Sequence, residues 1–147
     1  MWHIRQIEGQ DYIFINAKVA NPMDMKKSEK VEFLVDTGAM GCAISAELAE
    51  KLRLEPSGSA DVGLADGSTR RVKTAYIVIE IGGRKIYTWT IYEKGFSPIL
   101  GIDIMNALKF HVDVPERKVL IPYKGLNVKH LHIYTGMPTI IYKFTAH

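Results

Sequence analysis

A chain of 147 residues can bury one sizeable core, and 47% hydrophobic against 24% charged residues is the balance of an ordinary globular domain with no low-complexity tract. The formal charge of +3 is mild and dispersed, which argues against the basic stripe of a nucleic-acid binder; the densest cluster, Arg70-Arg71-Val72-Lys73, reads as a solvated hairpin. No apolar run approaches the roughly 18 residues of a membrane helix and Met1-Trp2-His3-Ile4-Arg5-Gln6 has no signal-peptide core, while the single cysteine, Cys42, fits a reducing compartment, so the expectation is a soluble, cytoplasmic protein with neither membrane nor nucleic acid as partner.

Taken in order, Tyr12 to Val19 is rich in β-formers and reads as a strand ended by Asn21-Pro22. Met23 to Lys30 is polar and reads as a loop, returning the chain to a second strand that would pair antiparallel with the first. That second strand is Val31-Glu32-Phe33-Leu34-Val35, with Val31, Phe33 and Val35 on one face and Glu32 and Leu34 on the other. It stops on Asp36-Thr37-Gly38-Ala39. An acid emerging from a buried strand needs compensating donors, which a Thr hydroxyl and the approachable N–H of a glycine can supply. The same three residues are also ordinary Asx-turn chemistry, and on their own they leave both readings open. Cys42, close behind, reads as a buried small hydrophobe rather than a thiol nucleophile, since no His lies near it in sequence.

Ser45 is a plausible N-cap for a short helix to Leu52, with Leu48 and Leu52 on one face, and Pro56-Ser57-Gly58-Ser59 ends that pattern before a strand beginning near Asp61. Asp66-Gly67, between Val62-Gly63-Leu64 and Thr69-Arg70-Arg71-Val72, predicts a hairpin with a two-residue primed turn and positive φ at both positions. Two further strands, Ala75 to Ile81 and Lys85 to Glu93, meet at Gly82-Gly83, with Ile77, Ile79 and Ile81 on one face and Tyr76, Val78 and Glu80 on the other. Ile99-Leu100-Gly101 then opens onto a short helix over Ile104 to Leu108 that Asp103 can cap. Phe110 to Val114 and Lys118 to Ile121 read as strands joined at Pro115-Glu116-Arg117, and the tail from Leu126 to Phe144 reads as an extra β-hairpin. His130 and His132 would share a strand face, but no third ligand lies close in sequence and no metal is assigned.

Three pieces in this order, Leu34-Val35-Asp36-Thr37-Gly38-Ala39, then Val62-Gly63-Leu64-Ala65-Asp66-Gly67-Ser68-Thr69, then Pro98-Ile99-Leu100-Gly101-Ile102-Asp103, resemble the retropepsin-like aspartic proteases, the retroviral type with a single lobe. The resemblance runs from about Val31 to Ile121, and order and spacing carry it more than any single piece. It implies a mainly β fold, a closed, orthogonal β-barrel with one or two short helices, as a domain over 1–122 with the hairpin of 123–147 packed on that domain or at a dimer interface. It implies Asp36 as the catalytic acid, Thr37 and Gly38 as its support, and Ala39, Leu64, Ala65, Asp66, Gly67 and Ile99 as substrate-binding residues, with the Asp66-Gly67 hairpin as the flap.

The chemistry of that family needs two carboxylates sharing one proton, and the chain carries one Asp-Thr-Gly and no Asp-Ser-Gly. The expectation is therefore an aspartic endopeptidase active as a homodimer on extended polypeptide, with no cofactor. Two departures qualify the resemblance: Ile102 stands where many relatives carry Arg, and Met40-Gly41-Cys42 differ from the viral residues. A rival keeps the fold and drops the chemistry, a non-catalytic module for peptide binding or dimerisation by strand addition.

Overall fold

The computed structural model describes residues 2–7, 10–36, 38–64, 66–107, 111–113, 118–123, 126–132 and 143–146, with side chains described between 12 and 107. The chain is mainly β, as expected. β1 (Trp2–Ile7), β2 (Gln10–Asn21) and β3 (Asp24–Val35) form an antiparallel meander, followed by β4 (Cys42–Ser45), α1 (Ala46–Lys51), β5 (Gly58–Gly63), β6 (Thr69–Ile81), β7 (Arg84–Glu93), β8 (Ile99–Leu100) and α2 (Ile102–Ala107). β9 (His111–Asp113), β10 (Lys118–Tyr123), β11 (Leu126–His132) and β12 (Lys143–Ala146) complete the described elements.

The large sheet runs β1-β2-β3-β8-β4-β7-β6-β5-β12, and a further pairing of β2 with β6 bends the central strands into a ring. Hydrophobic alternation sets what faces the inside. On β3, Val31, Phe33 and Val35 are buried, and on β6 so are Ile77, Ile79 and Ile81, as the period-two pattern predicts. Fully burying one such side chain contributes about 1.5–3 kcal/mol, so this inner face is what fixes strand register.

Several elements differ from the sequence expectation for physical reasons. Asp24 to Lys30 is strand, not loop, because Asn21↔Asp24 closes the hairpin at Pro22-Met23 and Ser28, Glu29 and Lys30 continue the ladder with Ala20, Val19 and Lys18. Polar residues suit that half of β3 since much of it faces solvent. Thr69 to Ile81 is one continuous strand rather than two, pairing β5 with its first half and β7 with its second. Gly82 and Gly83 form the expected two-residue turn, both at positive φ (57° and 78°) between the paired Ile81 and Arg84. The Asp66-Gly67 turn is longer than predicted: Gly63 pairs with Thr69, the Leu64 N–H donates to the Ser68 carbonyl at 2.8 Å, and the Gly67 N–H donates to the Leu64 carbonyl at 2.9 Å. Among its described residues only Gly67 takes positive φ, at 85°.

Helix α1 starts where expected, with the Ser45 Oγ accepting the Leu48 N–H at 3.1 Å. The described tail strands do not pair with each other as the expected hairpin would: β11 lies on β10 in a three-stranded sheet, and β12 lies on β5. Among the described residues no helix is long and apolar enough to cross a membrane.

Candidate active site

Asp36 leaves the end of β3 and is buried, at 5% exposure. Two things hold it there. Its own N–H donates to the Leu100 carbonyl at 3.0 Å, and the Gly38 N–H donates back to its Oδ1 at 2.9 Å. The second bond is the Asx turn anticipated from sequence, here closed on a buried carboxylate whose Oδ2 is also sealed from solvent. The Ala39 N–H then donates to the Asp36 carbonyl at 3.2 Å, completing the turn.

The second motif sits directly beside the first. β8 runs parallel to β3, pairing Leu34 with Ile99 and Val35 with Leu100, and on its other side Ile99 pairs with Ala43 of β4. The Leu34 N–H donates to the Pro98 carbonyl at 3.0 Å, so β8 is stitched to the strand that delivers the acid. Immediately after β8 the backbone at Gly101 passes so close to the acid turn that a Cβ there would stand 2.6 Å from Gly41 N and 2.8 Å from Ala39 O, and nearer still to Gly41 O. Those are backbone atoms with no room to yield, which is why this position is a glycine. Beyond it the Ile102 and Asp103 N–H groups donate to the Ala39 and Met40 carbonyls at 2.8 and 3.2 Å.

Ala39 and Ile99 pack in one apolar cluster with Ala60 and Val62 of β5 and Val72 of β6, and Leu64 leans on it from the hairpin. Of the predicted site residues, the structure thus brings together Asp36, Gly38, Ala39, Ile99 and Leu64. Asp66 and Gly67 stand exposed at the hairpin tip, where the Ser68 hydroxyl and then its amide hold the Asp66 carboxyl below the usual carboxylate range. Thr37 and Ala65 lie outside the described residues.

Neighbouring groups sharpen the chemistry. Cys42 is 1% exposed and burial pushes its thiol up to about 12, so it is a protonated core residue and not a nucleophile. Asp103 lies in the first turn of α2, its Oδ1 accepting the Ile104 N–H at 2.7 Å, and burial raises its carboxyl above the ordinary value. Met40 and Ile102, on the two segments joined beside the acid turn, are large apolar side chains left 55% and 45% exposed. The Leu100 carbonyl, the Gly101 crossing and the Ala39 and Met40 carbonyls were not legible as site elements, because they act through backbone; the glycine of Ile99-Leu100-Gly101 was the available signal. Among the described residues no group of three His, Cys, Asp or Glu side chains is placed to hold a metal, and His130 and His132 lie on β11, outside the described side chains.

Residues 12–107 match the family described as "gag-polyprotein putative aspartyl protease". That match spans well over half of the chain, and the protein belongs to this retroviral-type aspartyl protease family. No protein of curated function matches the sequence. Among solved structures, the chain is similar to a retropepsin-like aspartic protease from Rickettsia conorii, at 22% identity over 77% of this chain and 83% of that one with a TM-score of 0.54. It is also similar to the EIAV protease in complex with the inhibitor HBY-793, at 19% identity over 71% and 93% with a TM-score of 0.49. A third is the retroviral protease-like domain of Ddi1 from Leishmania major, at 17% identity over 80% and 94% with a TM-score of 0.45. The Rickettsia likeness gives the fold as retropepsin-like.

Proposed function

We propose that this protein is an aspartic endopeptidase that hydrolyses peptide bonds in extended polypeptide segments as a homodimer, one Asp36 from each chain forming the dyad. The observation that carries the reading is the carboxylate itself: a buried acid, held by the Gly38 N–H where the paired strands β3 and β8 end, in a chain with a single Asp-Thr-Gly. A buried carboxylate is costly to place, and a symmetric pair sharing one proton creates an acid and a base at one point. A two-fold axis through the acid turn supplies the pair. The exposed Met40 and Ile102 side chains beside that turn are apolar surface that a second copy would cover.

In the proposed reaction one carboxylate takes a proton from water as the water oxygen bonds to the scissile carbonyl carbon. The partner carboxyl gives its proton to the carbonyl oxygen. Collapse of the tetrahedral diol breaks the C–N bond: the amine leaves with the proton that the first carboxylate took from water, and a diol hydroxyl returns its proton to the partner carboxylate, giving a carboxylic acid and an amine and leaving the dyad with one proton. Thr37 and Gly38 position the acid. Ala39, Leu64 and Ile99 offer apolar contacts to the peptide, and Ala65, Asp66 and Gly67 form the tip of a flap that excludes water. No metal or cofactor takes part.

The test is a cleavage-site profile of the purified chain on a peptide library, with Asp36→Asn as control. Cleavage by the wild type that the control lacks supports the reading. Peptide binding without cleavage by either chain overturns it in favour of a binding module on the same fold.

A further inference from the structure

β5 is one arm of the flap hairpin, and its two edges are treated differently. One is paired along its whole length with β6, from Gly58↔Thr74 to Gly63↔Thr69 without a register shift. The other is taken by β12, a segment from far along the chain, with Lys143↔Gly63, Phe144↔Val62, Thr145↔Asp61 and Ala146↔Ala60. β12 ends the sheet order, so without it β5 would be the outermost strand.

That edge is unusually receptive. A free strand edge is a row of N–H and C=O groups ready to template another chain, and proteins block such edges with prolines, bulges or outward charges. β5, Gly-Ser-Ala-Asp-Val-Gly, has no proline and no bulge in its ladder with β6. Its one charged residue, Asp61, is drawn toward β6 by Arg71, whose Nε donates to Asp61 Oδ1 at 3.0 Å. Burial of Ala60 and Val62 fixes which face of β5 points inward, so one-residue slips of an incoming strand, which would exchange its two faces, are disfavoured.

The edge also belongs to the site. Val62 and Ala60 pack in the same cluster as Ala39 and Ile99, the residues that follow the acid and precede Gly101, and β5 runs directly into the hairpin turn at Leu64. We infer that the outer edge of β5 is where an extended polypeptide adds to this protein as a strand, and that Lys143–Ala146 holds that edge in the resting chain, competing with the polypeptide to be cleaved. The pairing half of this inference stands on the strand register alone; the competition half rests on the peptidase reading above. A four-residue ladder is short, which makes it exchangeable for a longer peptide.

The experiment uses the full chain carrying Phe144→Pro together with Thr145→Pro. Of two consecutive residues one directs its N–H at β5 whichever way the ladder is phased, and proline has none. Hydrogen exchange should show the outward amides between Ala60 and Gly63 opening about tenfold faster in the variant, with protection restored by a synthetic peptide of residues 139–146. On a cleavable peptide the variant should show KM lowered several-fold at unchanged kcat, with the 139–146 peptide as a competitive inhibitor.

A second variant, Asp61→Cys with Thr145→Cys, keeps the test independent of proline tolerance: these opposed positions should form a disulfide that lowers turnover until reductant is added. Unchanged exchange and no crosslink overturn the pairing. Faster exchange with unchanged KM and no competition overturns the competition. Cleavage by neither chain, with the exchange result intact, sinks the peptidase reading while supporting the edge as a docking site.

Discussion

Two turns in this molecule are built by the same local device and end in opposite circumstances. At the end of β3 the Asp36 Oδ1 accepts the N–H of the residue two further on, Gly38, at 2.9 Å; at the hairpin tip the Asp66 Oδ1 accepts the Ser68 N–H in the same way, at 2.8 Å. Asp66 is fully solvated, and its turn is closed by bonds internal to the hairpin. Asp36 is buried beside the end of β8, where its N–H donates to the Leu100 carbonyl, with Gly101 pressed against the backbone of Ala39 and Gly41. An Asx turn is therefore no more than a way to hold a carboxylate. Whether that carboxylate can do acid–base work depends on what the rest of the chain packs against it, and here that is a strand more than sixty residues away in sequence.

The comparison breaks outright if burial of Asp36 has no chemical consequence. Asp36→Asn should fold and dimerise yet lose hydrolysis by on the order of a thousandfold or more, because an amide neither takes a proton from water nor shares one with a partner. In mixtures of wild-type and Asp36→Asn chains, heterodimers own a single acid. Activity at equal mixing should then fall to about one quarter rather than one half, and a proportional fall would mean each subunit works alone. The wild-type rate should be bell-shaped in pH with its maximum on the acid side of neutral, since the dyad works only while it holds one proton.

Next in size is the crossing that distinguishes the two turns. Gly101→Ala places a methyl against Gly41 and Ala39 backbone, so the β3–β8 junction must open. A loss of about 2–3 kcal/mol in stability is expected, read by chemical denaturation, together with loss of activity. Full stability in that variant would show that Gly101 is not what presses the acid turn into place.

A smaller effect is expected at the exposed turn. Gly67 sits at φ 85° with open space around its Cβ position, so Gly67→Val meets backbone strain alone, about 1–2 kcal/mol. Turnover should drop by roughly tenfold while dimer affinity holds, as expected for a lid whose shape matters to closure and not to assembly. Wild-type turnover would make the Asp66-Gly67 hairpin an ordinary surface loop.

What could be read from sequence follows the same division between local and long-range causes. The β3 alternation, the Ser45 cap and the Gly82-Gly83 turn are decided within a few residues, and each has the predicted form. Asp24 to Lys30 looked like a loop because its polar residues belong to a solvated half-strand, where pairing with β2 and not hydrophobicity makes the structure. β4 is four residues long and exists because β8 and β7 flank it, which no local pattern announces. The dipeptide Asp66-Gly67 marks the place of its turn but not its length, because the register Gly63↔Thr69 leaves five positions between the paired ends and not two. For the site, the acid and both glycine motifs were visible; their meeting through backbone carbonyls, and the docking of Lys143–Ala146 on β5, depend on tertiary pairing that spacing does not encode.

Asp103 provides the finest grading of the comparison, because its surroundings lie between those of Asp36 and Asp66. Its Oδ1 accepts the Ile104 N–H, and burial outweighs the backbone N–H groups that favour its charge, so its carboxyl is raised above the ordinary carboxylate value. A raised carboxyl holds its proton more tightly in the folded chain than in the unfolded one. Stability therefore falls as pH climbs from that ordinary value through the folded-state value, and above both the fold carries a constant penalty for the charge. Asp103→Asn keeps an oxygen for the Ile104 N–H and removes the charge. It should raise Tm at pH 7 by only about 1–3 °C, with the gain shrinking to nothing as pH falls below about 4. A variant less stable than wild type at pH 7 and equal to it in acid would mean that the Asp103 charge is held by an attractive partner, and the position would then belong with the stabilised turn of Asp66 and not with the desolvated floor of the site.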